Sequence, residues 1–126
     1  MKDLTNLKTY IIDSDDPHEV DDAFSLEIID KNIKNLWIHI SNPCKLFLHE
    51  SNIDLDARKR NSSLYLIDQY VPMLPMDILE KANLAQNKIS ETISAAIEFN
   101  DDGSINKYEI TAVSYTHLTL PTTRYV

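Results

Sequence analysis

A chain of 126 residues with one glycine has few cheap places for positive φ angles, so the position of that glycine constrains the fold more than any other residue. Gly103 closes the polar run Asn100-Asp101-Asp102-Gly103, between residues 92–99 and 105–111. Both flanks carry the β-branched and aromatic residues of strands, and the glycine stands where a hairpin turn needs positive φ, which predicts an antiparallel hairpin. The same scarcity excludes a glycine-rich phosphate loop.

Upstream, residues 9–12 read as a short buried strand that delivers Asp13 at its end. Residues 23–29 and 36–40 read as two more strands, separated by the polar turn Asp30-Lys31-Asn32, so a meander begins here. Ser51-Asn52-Ile53-Asp54 has the spacing of a capping box, and Arg58-Lys59-Arg60 would then complement the dipole at a helix C-terminus. This predicts a helix over 52–60. A strand over 63–66 follows, then Val71-Pro72-Met73-Leu74-Pro75, whose prolines hold the chain extended, then a short helix over 77–82. The order of elements implies a mixed α+β domain, built of sheet and helix.

The bulk properties suit a soluble globular domain, with 43% hydrophobic and 25% charged residues. No apolar run approaches the roughly 20 residues that span a bilayer, so no membrane partner is expected. Nothing at the start resembles a secretory signal, and the single cysteine, Cys44, suits a reducing cytoplasm, the expected location. Asn61-Ser62-Ser63 then carries no meaning as a glycosylation sequon. No obligate protein partner is evident. Twenty acidic against twelve basic side chains give a formal charge of -8, which alone argues against a polyanionic partner.

The distribution of that charge changes the reading. Six of the ten residues from Asp13 to Asp22 are carboxylates, and the rest of the chain is nearly balanced. So many anions in one segment are costly unless they are solvated or hold cations. Oxygen-only ligands favour magnesium, manganese or calcium over zinc. An EF-hand loop counted from Asp13 would put His18 at the turn glycine and Phe24 at the bidentate glutamate, so that motif fails. His49-Glu50-Ser51-Asn52-Ile53 lacks the second histidine of a zinc signature.

The last stretch differs in kind. From Ser114 onward there is no acidic residue, and four threonines fall between Ser114 and Thr123. Residues 113–122 resemble, residue for residue, one translated frame of a transposon-based sequencing adapter. The expected division is therefore 1–112 as natural domain and 113–126 as a non-native tail.

In residues 3–111 the chain resembles the RNB catalytic domain of the ribonuclease II and ribonuclease R exoribonucleases. Asp3-Leu4-Thr5-Asn6-Leu7 resembles the opening of that domain. Asp13, five residues, Glu19, one residue and Asp21-Asp22 resemble its acidic signature, with Glu19 where the commonest pattern has Asp. Trp37-Ile38-His39-Ile40 resembles the following strand, Asp56-Ala57-Arg58-Lys59-Arg60 the helix, and Tyr65-Leu66 with the Val71 to Pro75 block a later landmark. Asn42 and residues 83–88 depart from the usual pattern.

The resemblance implies the N-terminal part of an RNB-type domain, truncated. It implies 3′-to-5′ hydrolysis of single-stranded RNA to nucleoside 5′-monophosphates with magnesium, or manganese. Asp13, Glu19, Asp21 and Asp22 would surround the metals, with Asp21 and Asp22 at the chemical step, and Tyr65 would stack on a base. The family domain runs well beyond this length, and its later part supplies basic residues and a second stacking aromatic, so this chain alone is expected to be inactive. Two rival classes are a non-catalytic RNA-binding or scaffold relative, which eroded carboxylates would favour, and an acidic cation-binding module with no dependence on nucleic acid.

Overall fold

The computed structural model describes residues 1–12, 19–85, 88–115 and 118–119. Its strands are β1 (Lys2–Asp3), β2 (Thr9–Tyr10), β3 (Asp22–Ile29), β4 (Asn32–Ser41), β5 (Leu64–Tyr65), β6 (Tyr70–Val71), β7 (Ser90–Phe99), β8 (Ile105–Tyr115) and β9 (Leu118–Thr119). Its α-helices are α1 (Asn52–Arg60) and α2 (Met76–Ala82), and a 3-10 turn spans Pro43–Leu46. The architecture is α+β, as expected.

The chain divides into two units, residues 42–83 and the remainder. The larger unit is a seven-stranded sheet in the order β1-β8-β7-β4-β3-β2-β9. Its central pairs are antiparallel, while β1 on β8 and β9 on β2 are parallel. The β7–β8 hairpin forms where Gly103 requires it, with φ of +87° and its N–H donating to the Asn100 carbonyl at 2.9 Å. The β3–β4 hairpin is tighter than the sequence implies. Asp30 and Lys31 take φ of +53° and +67° without a glycine, a two-residue turn whose twist matches the strands, so β4 resumes at Asn32 rather than at residue 36. In the opposite sense, the strand expected over 9–12 pairs only through Tyr10, and Ile12 stands exposed beyond the end of the ladder.

The two faces of this sheet are filled unlike each other. One face buries Trp37, Ala96 and Val113 with Leu4 from the N-terminal segment, together with Thr9, Ser25, His39, Thr92 and Ser94. The cross-strand rows Phe24–Ile38–Ala95–Ile110 and Asp22–Ile40–Ile93–Ala112 lie on the other face, where Ile38, Ile40, Ile93 and Ile110 are exposed. β8 runs unbroken across the expected boundary at residue 112, and Val113 is fully buried.

In the smaller unit, α1 starts at Ser51, whose Oγ accepts from the Asp54 N–H at 3.4 Å, while the Asp54 carboxylate accepts from the Glu50 N–H at 2.7 Å. This is the anticipated box with its return bond made one residue earlier. Asn61 ends the helix in the left-handed region, its N–H donating to the Ala57 carbonyl. Ala57, Leu74, Ile78 and Leu79 form the core of this unit. β5 stops at Tyr65 because the Leu66 N–H turns back onto the Gln69 carbonyl at 2.8 Å.

Candidate functional site

Of the acidic segment, Asp13 lies outside the described residues, and Glu19, Asp21 and Asp22 stand at the head of β3. Their placement follows from their apolar neighbours. Val20 and Ala23 pack inward against Ile11 and Leu84, so the carboxylates between and beside them face outward. Glu19 is half-buried, and Asp21 and Asp22 are exposed. Two backbone bonds pin this corner: the Asp21 carbonyl accepts from the Ser41 N–H at 2.8 Å, and the Val20 carbonyl accepts from the Leu84 N–H at 3.1 Å. Three carboxylates within four residues are thus carried on a backbone fixed by β4 and by the chain after α2.

Carboxylate oxygens alone suit a hard divalent cation. Among the described residues, no three His, Cys, Asp or Glu side chains converge to hold an ion. Glu19, Asp21 and Asp22 offer the oxygen donors that magnesium or manganese takes, but the described residues by themselves do not bring three of them together around an ion.

Tyr65, in the smaller unit, is 60% exposed, unlike a strand tyrosine buried in a core. Its ring centroid lies 5.1 Å from that of Tyr70 at an interplanar angle of 31°, which leaves aromatic surface open to solvent. Of the basic helix end, Arg58 makes a two-pronged contact with Asp54, at 3.1 and 2.8 Å, and a further bond to His49. Arg60 donates to the Pro72 carbonyl at 2.9 Å. Both guanidinium groups therefore hold local structure.

Sequence reasoning missed a buried polar chain behind the carboxylates. Thr9 Oγ1 lies 2.8 Å from Ser25 Oγ, which lies 2.9 Å from His39 Nε2. His39 Nδ1 lies 2.7 Å from Ser94 Oγ, which lies 2.7 Å from Thr92 Oγ1, and Thr92 donates to the Val113 carbonyl at 3.4 Å. Burial lowers the pKa of His39 from 6.5 to about 4, because a dry site disfavours the charged ring. The signal available in the sequence was hydroxyls at alternate positions, Ser90, Thr92 and Ser94.

The sequence model of the RNB domain matches residues 1–113. Ribonuclease II, chloroplastic/mitochondrial, of Arabidopsis thaliana is 33% identical over 109 residues, covering 86% of this chain and 14% of that protein. The chain thus spans a small part of the length of the curated relatives it matches. In three dimensions it is similar to Mycoplasma genitalium RNase R, solved in complex with ribose methylated single-stranded RNA, with a TM-score of 0.85 and 23% identity over 94% of this chain and 19% of that one. It is similar as well to a yeast pseudonuclease, with a TM-score of 0.80 and 19% identity over 95% of this chain and 15% of that one. At these identities the two structures establish the fold.

Proposed function

The chain belongs to the RNB domain family, and from that membership we propose that the whole protein is an exoribonuclease, hydrolysing single-stranded RNA from its 3′ end to nucleoside 5′-monophosphates with a divalent metal. The observation that carries this reading is the intact acidic signature, Asp13, Glu19, Asp21 and Asp22, inside the matched region. When bound, the cations supply Lewis-acid stabilisation of the phosphate and of the departing 3′ oxygen. Asp13, Glu19, Asp21 and Asp22 would hold them, with Asp21 and Asp22 assigned to the chemical step. Tyr65 offers its open face to a base, an attraction that does not choose among bases and contributes roughly 1 to 3 kcal/mol.

The fold is shared with a pseudonuclease, so a non-catalytic RNA-binding protein is the second reading. Its test is Asp21→Asn in the intact protein. The enzyme reading expects stepwise shortening of 3′-labelled RNA in magnesium by the wild type, loss of that activity in the variant, and unweakened RNA binding, since removing an anion does not reduce attraction to a polyanion. Binding without cleavage by the wild type would establish the second reading. Release of internal fragments, or full activity in excess chelator, would reject the reaction assigned here.

A further inference from the structure

We propose that the buried chain Thr9, Ser25, His39, Ser94 and Thr92 is a positioning element for the carboxylates at the head of β3, setting their affinity for cations without touching the ion. The inference rests on the cation reading above and extends it to residues that lie behind the site.

Its first support is placement. β2 and β3 are the strands that enter and leave the acidic segment, and their ladder is only two residues long, Thr9 opposite Ser25 and Tyr10 opposite Phe24. So short a ladder specifies register weakly, yet a one-residue slip would turn every side chain of β2 to the other face. The 2.8 Å bond between Thr9 and Ser25 falls on one of these two pairs. Both side chains are fully buried, so a slipped register would take Thr9 off this face and deprive the buried Ser25 oxygen of its donor. The polar chain thus fixes the separation of the strand ends on which the acidic segment is hung.

The second support is its proton order. Thr92 donates to a carbonyl oxygen, which can only accept. Ser94 therefore donates to Thr92, and His39 donates to Ser94 from Nδ1. That leaves Nε2 as an acceptor from Ser25, whose oxygen accepts in turn from Thr9. One order of protons satisfies all five bonds, and it requires a neutral imidazole in the Nδ1–H form. A fully satisfied buried network of this kind selects one arrangement of its strands, which apolar residues of similar size would not do. The carboxylates lie at the end of that arrangement: Ala23, next to Asp22, is the register partner of His39.

The test is manganese binding to the chain, followed by the electron paramagnetic resonance signal of free Mn2+, in the wild type, Thr9→Val, Ser25→Ala and Thr9→Ser. Circular dichroism and Trp37 fluorescence report the folded fraction of each. Thr9→Val and Ser25→Ala should bind Mn2+ about fivefold more weakly while folded, the range seen when residues act on a site through intervening structure. Thr9→Ser, which keeps the hydroxyl, should restore wild-type affinity, a rescue that a purely structural role does not require. Folded Thr9→Val and Ser25→Ala with unchanged affinity, or a loss that only tracks the unfolded fraction, would overturn the proposal and leave the cation reading standing. A folded wild-type chain that binds no Mn2+ would reject the cation reading, and the positioning role with it.

Discussion

Lowering the pH should unfold this chain through His39 in particular. Its ring is fully buried, and its bonds to Ser25 and Ser94 are to neutral hydroxyls. Burial holds the folded pKa at about 4 against an ordinary value of 6.5. The unfolded chain therefore binds a proton between those two values that the folded chain does not, and stability must fall as pH falls through that window. The contribution is fully present above pH 6.5 and is lost by pH 4. At about 1.4 kcal/mol per pKa unit, roughly 2 kcal/mol should be gone at pH 5 relative to pH 7.5, and about 3 kcal/mol at pH 4. Urea unfolding followed by Trp37, the only tryptophan, reads this directly, because Trp37 is itself buried beside the His39 ring at 6.2 Å. Carboxylates titrate in the same range, so the comparison is with His39→Gln, in which their contribution persists and that of the imidazole is removed. The wild-type curve should drop more steeply by the amounts given. Where the variant is too unstable to compare, the ring resonances of His39 in the wild type should keep their neutral positions down to pH 5. Parallel stability curves for the two proteins, or a folded His39 titrating near 6.5, would refute the reasoning.

Other expectations follow from single positions. Tyr65→Ala in the intact protein should weaken single-stranded RNA binding about tenfold in a filter assay, by loss of one stacked base, and unchanged binding would remove Tyr65 from the site. Lys31→Gly should raise the stability of the chain by about 1 kcal/mol in thermal unfolding, because Lys31 takes φ of +67° where glycine carries no steric penalty; a lower melting temperature would contradict this. Ile110 is 65% exposed amid the apolar rows of the sheet, so the chain should self-associate in sedimentation and Ile110→Lys should reduce the association. A wild-type chain that sediments as a monomer at high concentration would sink that expectation.

Local chemistry was legible in the sequence wherever one residue type has one use. Gly103 marked its hairpin because positive φ without penalty belongs to glycine, and Ser51 with Asp54 marked α1 because the spacing is that of a cap. Asp30 and Lys31 hid the other turn because neither advertises the left-handed region, and β4 was read too short as a result. β1 and β9 are two residues each and exist through partners far along the chain, Val113 and Ser114 for one and Thr9 and Tyr10 for the other. No local pattern carries such pairings. Charge density singled out the acidic segment but left a solvated surface and a cation site equally open, and only the resemblance to the family picked Asp13, Glu19, Asp21 and Asp22 from it. The openness of Tyr65 was not legible, because exposure of a strand aromatic depends on what packs above it.

The polar chain through His39 escaped notice for a reason that bears on the whole sheet. Alternation assigns apolar residues inward and hydroxyls outward, and here the assignment is reversed across the central strands. Ser25, His39, Thr92 and Ser94 are buried, while Ile38, Ile93 and Ile110 are exposed. Hydroxyls and an imidazole can occupy an interior only if they satisfy one another, and the five bonds from Thr9 to Val113 do so. The exposed face has no comparable resolution, because isoleucine in water gains nothing from its neighbours beyond partial shielding. The polar side of this sheet thus selects the register, while Ile38, Ile93 and Ile110 on the other side keep apolar surface that a covering partner would bury. The carboxylates of β3 stand at the margin between the two, with Asp22 in the apolar row beside Ile40 and its neighbour Ala23 in the polar one. Anything that covers the apolar face therefore also bounds the space in front of Asp22.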